Sequence, residues 1–427
     1  MARRTQPEQP RRSVVRHGRL SRSSSVKNFS RFLLTTLLVV AFSGVATAAY
    51  AVWGFVNSAK TVDLGGPSEA IGAGKQSIDG ELTILLAGSD TRAGQGYDDG
   101  EEGELNDVNL LLHVSADHKN ATVVSFPRDL MVPIPSCPSE DGEEDFYPAM
   151  SEQQLNTAMG YGGLPCVART ISELTGMDIP YAAMITFDGV VGISEAVGGV
   201  EVCLTEPLVD PKTDLDLPAG MNTLEGWDAL QFLRTRYGVG DGSDISRINN
   251  QQVFMSSLMR KLKSAETLSD PFKVWNLAKA AVDNMLLSES MKSMQFMQAA
   301  AGTVRDIDLG NINFVQYPTV DHPYQSGRLL PNSELAAVLM ETLQSGAAFD
   351  VTGTGGAVAT PDDATTETPE TPATDAPATE TPATPEGEAP ATDGSTPTEG
   401  GDRVQLPPEI TGLKPDVETC SVGRTNY

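Results

Sequence analysis

Histidine is scarce in this chain of 427 residues. There are four, at positions 17, 113, 118 and 322, none spaced as metal ligands. Cysteine is equally sparse: four residues and no CxxC pair, which argues against a zinc site. Positive charge is also short, with 30 Lys and Arg against 57 Asp and Glu, a net charge of −27 and a pI near 4.4. That balance disfavours nucleic acid as a partner. A nucleophile elbow is missing, because Ser89 sits in G-S-D rather than G-x-S-x-G. GAGK at 72–75 does not make a phosphate loop: Glu69 stands where the first glycine belongs, and Gln76 replaces Ser or Thr.

The charge is unevenly spread. Residues 1–31 carry nine Lys and Arg against the single acid Glu8, which leaves the remainder near −35. This basic, Ser-rich tail precedes 25 uncharged residues, Phe32–Val56, enough to span a bilayer. The positive-inside rule then places the tail in the cytoplasm and everything after Lys60 outside, on a single-pass anchor at the cell membrane. Ala46-Thr47-Ala48 offers the alternative of a cleaved signal peptide, but the run exceeds a usual signal core. All four cysteines fall on the outer side, where disulfides persist. The preferred pairing is Cys137–Cys166, which closes an acidic loop, with Cys203–Cys420 following by elimination.

A polar stalk (57–78) leads to a globular region over 79–350. Residues 351–402 are Thr/Pro/Ala/Glu repeats, too polar to bury a core and expected to be a disordered linker. A tail, 403–427, carries Cys420 and is expected to fold back. Within the globular region, strands are predicted over 81–87, 108–114, 121–126, 181–187, 200–204 and 312–318. Helices are predicted over 163–175, 188–197, from Trp227 to Arg234, from Asp244 as N-cap, over 271–287 and 289–301, and from Asn332 or Ser333 to Gln344. Ser151 with Gln154 reads as a capping box. The connection from 108–114 to 121–126 is too short for a crossover and requires an antiparallel hairpin. The fold class expected is α/β, an α/β/α layered domain with a mixed, largely antiparallel central sheet.

Charged residues gather at the strand ends: Asp90 with Arg92, Asp107, and Arg128 with Asp129. Further along, Arg234 and Arg236 run into a glycine-rich loop, and Arg247, Gln251, Phe254 and Leu258 form one helical stripe, polar at its start and apolar below. Two carboxylates suit Mg2+ or Mn2+, and guanidinium forks suit a diphosphate. The competing reading of each Arg is a structural salt bridge, most readily for Arg128 beside Asp129. The Met-rich segment with Met285, Met291, Met294 and Met297 reads as core or as the wall of an apolar groove.

The ordered set LLAGSDTR, NDVNLLLHVS, VVSFPRD, LNTAMGYGG, FDGVVGISEAVGGVEVCL and ALQFLRTRYGVGDGSDISRINNQQ resembles the LytR-CpsA-Psr family over about 79–345. The C-terminal linker resembles those of actinobacterial members. The resemblance implies an α/β/α fold and a phosphotransferase. Members move a glycopolymer from a polyprenyl diphosphate carrier onto peptidoglycan and release polyprenyl phosphate. It implies Asp90 and Asp107 as metal ligands, Arg128, Arg234, Arg236 and Arg247 as diphosphate-binding arginines, and Gln251 as their partner. It also implies a lipid tail in an apolar pocket, with the Met-rich helices as its lining. The family commonly has Arg two residues before the second Asp, where this chain has Leu105; that diphosphate contact is then either missing or supplied elsewhere, with Arg92 a candidate. The same site passing its phosphoryl group to water would be a phosphatase, and a non-catalytic wall-binding protein is the further alternative.

Overall fold

A computed structural model describes residues 25–64, 80–90, 105–138, 146–264, 267, 270–292, 294–360 and 403–425. Residues 1–24 of the expected tail, the loop holding Arg92 and residues 361–402 of the expected linker lie outside them. Two compact units divide at Gly54. The apolar run lies on α1, Ser25–Ser58, a single helix of 34 residues. Among the described residues, no helix is long and apolar enough to cross a membrane.

The second unit is built on a sheet of eight strands. In chain order these are β1 (Lys60–Val62), β2 (Leu82–Ser89), β3 (Asn106–Val114) and β4 (Ala121–Phe126). Two short strands, β5 (Met131–Ile134) and β6 (Met150–Gln154), then pair apart from it. The main sheet resumes with β7 (Tyr181–Ile185). A second, four-stranded sheet begins at β8 (Val200–Leu204), and β9 (Leu208–Asp210) with β10 (Leu215–Leu217) makes a hairpin. After β11 (Gly220–Leu224) come β12 (Met285–Ser288), β13 (Ile312–Gln316), β14 (Val358–Ala359), β15 (Gly412–Leu413) and β16 (Cys420–Ser421). The main sheet runs β1-β12-β7-β2-β3-β4-β13-β15, and the smaller one β11-β8-β16-β14.

The main sheet is mixed, as expected: four of its seven pairings are antiparallel and three parallel. Strands β3 and β4 form the predicted hairpin. Both faces of the sheet are apolar because helices cover both. On one side α2 (Ala158–Thr175) and α8 (Ser333–Gln344) pack Val167, Ile171, Leu339 and Leu343 onto Leu85, Leu111 and Val124. On the other, α5 (Asp244–Lys263) and α7 (Met294–Asp306) bring Val253, Phe296 and Ala299 to Val123 and Phe314. Each fully buried Leu of this kind stabilises by roughly 1.5–3 kcal/mol.

Several expectations are corrected. Residues 150–154 are strand β6 rather than a capped helix, because edge pairing with Met131–Ile134 outweighs the capping pattern. Helix α2 starts at Ala158, five residues early, and kinks at Gly162 and Gly163, whose φ and ψ are non-helical. The helix predicted to 287 stops at Asn284, and Met285–Ser288 is strand β12, held between β1 and β7. The next one is a short turn at 289–291 and then α7. Ser243, not Asp244, caps α5: its Oγ accepts from Ser246 N–H. Part of the expected stalk is strand β1, and Val358–Ala359, expected in the linker, is strand β14 paired with β16. The tail does fold back, and both disulfides, Cys137–Cys166 and Cys203–Cys420, are paired as preferred.

Candidate active site

Where β2 ends and β3 begins, the ladder slips by one residue. Gly88 faces Val108, but Ser89 faces Asn106, so Asp107 is the extra residue of a β-bulge. The bulge breaks the in-out alternation: Asp107 and Val108 both line the same cleft. A Cβ on Gly88 would lie 2.9 Å from that of Val108, so only glycine lets the strands close here. Asp90, one residue past β2, is fixed by the same strand: its N–H donates to Leu105 O (3.1 Å), and its Oδ1 accepts from Leu105 N–H (2.9 Å). The two aspartates therefore flank one rung of the ladder.

Arg128 follows β4 and reaches across it. Its Nη1 donates to Asp107 Oδ1 at 2.9 Å, and its Nε lies 3.3 Å from Asp244 Oδ1. The neighbouring Asp129 is farther, at 3.6 Å, and spends its carboxylate on Arg328 and on Gln154 Nε2. The salt bridge expected with Asp129 is thus secondary. Asp244, on the first turn of α5, also holds Arg247, with Nη2 2.7 Å from Oδ1. Asp107, Arg128, Asp244 and Arg247 form one chain of alternating charge.

Burial pulls Arg128 down, but Asp107, Asp244 and Asp129 outweigh it and hold the guanidinium above its ordinary value. Burial lowers Arg247 against the opposing pull of Asp244. Asp244 is raised by its own burial, with both arginines opposing. The Arg247 Nε is buried without a hydrogen-bond partner among the described residues.

Helix α4 (Trp227–Arg234) supplies the facing wall. Arg234, its last residue, lies over the ring of Phe187 at 4.7 Å, a cation–π contact. Phe187 opens α3 (Phe187–Ala196). The end of α4 leaves carbonyls without helical partners. Asn250 Nδ2 donates to Phe232 O (2.7 Å), and Gln251 Nε2 to Leu233 O (3.0 Å), so Gln251 ties α5 to α4. Arg236 Nε donates to Gly242 O at 2.9 Å, inside the glycine-rich loop.

Asp107, Arg128, Arg234, Arg236, Arg247 and Gln251 all line one cleft of 480 Å³. Below them the lining turns apolar, with Ile185, Val190, Ile193, Leu230, Phe254 and Leu258. The stripe from Arg247 to Leu258 runs from the charged end into the apolar end, as its spacing predicts. Met285 and Met291 are not among the described residues that line the cleft; they pack in apolar clusters, and among the described residues Met255 of α5 is the methionine on the wall. The side chains of Met294 and Met297 lie outside the described residues, as does Arg92.

The sequence reading missed Asp244, Lys212 and Tyr237. Lys212, at the β9–β10 turn, places Nζ 4.0 Å over the Tyr237 ring, and the pair lowers the Tyr237 phenol from its ordinary value. Asp210 shapes that turn, accepting from Lys212 N–H (3.0 Å) and Thr235 Oγ1 (2.6 Å). Tyr237 adjoins Arg236 in sequence, which was an available signal. Lys212 had none.

The LytR_cpsA_psr family model matches residues 54–341, more than half of the chain. The chain belongs to the LytR-CpsA-Psr family. Its similarity to the Corynebacterium glutamicum cell wall biosynthesis protein LcpA is 29% identity over 320 residues, 66% of this chain and 59% of that protein. The probable cell wall biosynthesis protein LcpB of the same organism is 32% identical over 214 residues, 48% of each. This chain thus spans about half to three fifths of the length of these two relatives. The Bacillus subtilis polyisoprenyl-teichoic acid–peptidoglycan teichoic acid transferase TagT is 25% identical over 62% of this chain and 82% of that protein. A solved structure, protein gbs0355 from Streptococcus agalactiae, superposes with a TM-score of 0.51 at 20% identity, covering 62% of this chain and 88% of that one. That likeness is one of fold. Every candidate residue from Asp90 to Gln251 falls inside the span matched by the LytR-CpsA-Psr family.

Proposed function

We propose that this protein transfers a phosphoryl-linked glycopolymer from a polyprenyl diphosphate carrier to peptidoglycan and releases polyprenyl phosphate. The observation that carries the reading is the continuity of an apolar cleft with a charged end holding Arg128, Arg234, Arg236 and Arg247. A polyprenyl diphosphate has the same two parts, a hydrocarbon and a dense anion. The relatives' names, a peptidoglycan teichoic acid transferase among them, support the same chemistry.

In the reaction, the acceptor hydroxyl oxygen bonds to the polymer-side phosphorus and releases its proton. The bond from that phosphorus to the bridging oxygen breaks, and polyprenyl monophosphate leaves with the electron pair. The arginines bind the non-bridging oxygens and neutralise charge that builds on the departing phosphate. Asp244 keeps Arg128 and Arg247 oriented. Lys212 adds a further cation to the lining of the cleft.

Among the described residues, no three His, Cys, Asp or Glu side chains gather as a metal site. Two carboxylates at one strand bulge fit Mg2+ or Mn2+, ions that complete their shells with water and substrate phosphate rather than a full protein cage. Asp90 and Asp107 are the residues that would hold the ion, and it would supply charge neutralisation at the diphosphate. The anchor and an extracytoplasmic domain belong to the same proposal, supported by the basic flank, the apolar run on α1 and two formed disulfides.

The test combines the full-length chain, Mg2+, a polyprenyl diphosphate-linked glycan and peptidoglycan fragments, with Asp90→Ala and Arg234→Ala alongside. Glycan joined to the fragment, and lost in both variants, is the expected result. Monophosphate with free glycan phosphate would identify a phosphatase. Binding without turnover would leave a wall-binding module.

A further inference from the structure

The two cationic arms of the cleft meet where Lys212 lies over Tyr237, and residues 422–424 stitch them together alongside that contact. One arm is the β9–β10 hairpin, with Lys212 at its turn. The other is the loop after Arg236 and Tyr237. Neither arm pairs with the main sheet. Between them runs the segment Val422–Arg424. Val209 N–H donates to Arg424 O at 3.1 Å, Arg424 N–H to Gly238 O at 2.9 Å, and Gly240 N–H to Val422 O at 3.0 Å. A bridge between Val239 and Gly423 completes the stitch.

The segment fits only as it is. A Cβ on Gly423 would come within 2.2 Å of Glu206 O and 2.7 Å of Pro207 O, so a side chain there forces the backbones apart. Immediately upstream, β16 joins β8 through Cys203–Cys420, and Thr205 N–H donates to Ser421 O. Those contacts bring the segment to the cleft without depending on it. Residues 422–424 then contribute to the two arms and to the Ala357 carbonyl, which accepts from Val422 N–H.

We propose that Val422–Arg424 is a positioning clamp that sets the spacing between Lys212 on one arm and Arg236 with Tyr237 on the other, and so tunes the grip on a diphosphate. This rests on the reading of the cleft as a diphosphate site. The clamp touches no substrate and acts through the backbone of the arms. It places the chain's final residues in control of a site whose other components lie between residues 90 and 251.

The experiment uses the full-length chain, a chain stopped after Ser421, and Gly423→Ala, with inorganic pyrophosphate and magnesium chloride as the probe in calorimetry. Both variants are expected to lose at least tenfold in pyrophosphate affinity and to melt within a few degrees of the parent. In the transfer assay they should raise KM for the lipid-linked substrate more than they lower kcat. Affinity within twofold of the parent in a folded variant would overturn the clamp alone. Collapse of melting in both variants would also overturn it, by making the segment part of the fold. Failure of the unaltered chain to bind pyrophosphate would overturn the diphosphate reading itself.

Discussion

Arg128 and Asp107 meet at 2.9 Å because a one-residue bulge turns the aspartate toward the cleft while the arginine leaves the adjacent strand. The pair stands partly exposed, at 24% and 28% of the side-chain surface, so it is not a stabilising bridge of any size. Replacing Asp107 with Asn should therefore shift the melting temperature by only a few degrees. Turnover in the transfer assay should fall about a hundredfold or more, as expected when a charge-stabilising group is lost. Thermal melting and product release on the same preparation check both halves.

Asp244 is the opposite case. It is buried between two guanidinium groups, and neutralising it takes the carboxylate from buried Arg247, while Arg128 keeps Asp107. Asp244→Asn should cost about 3–5 kcal/mol of stability, the usual price of breaking a buried pair. Chemical denaturation is the measurement, and a loss below about 1 kcal/mol would show that Arg128 and Arg247 do not need this anion.

The apolar end of the cleft should set lipid affinity alone. Val190 lines it from α3, one turn after Phe187. Val190→Trp should raise KM for the polyprenyl substrate at least tenfold while leaving inorganic pyrophosphate binding unchanged. Equal loss of both would mean that the two ends of the cleft are not separable.

Asp241 gives a pH signature. Hydrogen bonds from Ser243 and Ser246 depress its carboxyl to about 2 in the folded chain, against 3.8 ordinarily. A depressed carboxyl contributes stability that is fully present above the unfolded value and lost as pH falls from about 4 toward 2. The group is exposed, so screening limits the contribution to about 1 kcal/mol. Asp241→Asn should flatten that part of the stability profile, measured by denaturation between pH 6 and 2.5.

Removing the Cys137–Cys166 bridge opens a loop of 29 residues. The paired Ser variant should lose roughly 3 kcal/mol, read from denaturation under non-reducing conditions.

Much of the site was legible in the sequence because its residues follow local rules. The stripe from Arg247 to Leu258 needs only helical spacing, and Asp90, Asp107 and Arg128 announce themselves as charges at the ends of apolar runs. Asp244 was read as a cap because local logic offers a first-turn Asp no other task; its arginine partner in β4's wake is 116 residues away. Lys212 reaches the cleft through a hairpin hydrogen-bonded to the tail, a contact across more than 200 residues of chain. Residues 285–288 follow a helical pattern yet form a strand, because β1 and β7 offer hydrogen bonds that propensity cannot see. Sequence pattern reports what a segment prefers alone, and these segments are decided by neighbours.

The bulge at Asp107 has a consequence for any attempt to make this domain more rugged. Without the extra residue the ladder between β2 and β3 would keep the same partners and return the strand to strict alternation. Deleting the extra residue would achieve that regularity and remove the acid from the cleft in the same stroke. Variants chosen for heat resistance should therefore leave 106–108 untouched, and a homologue without the extra residue would lack this acid in the cleft.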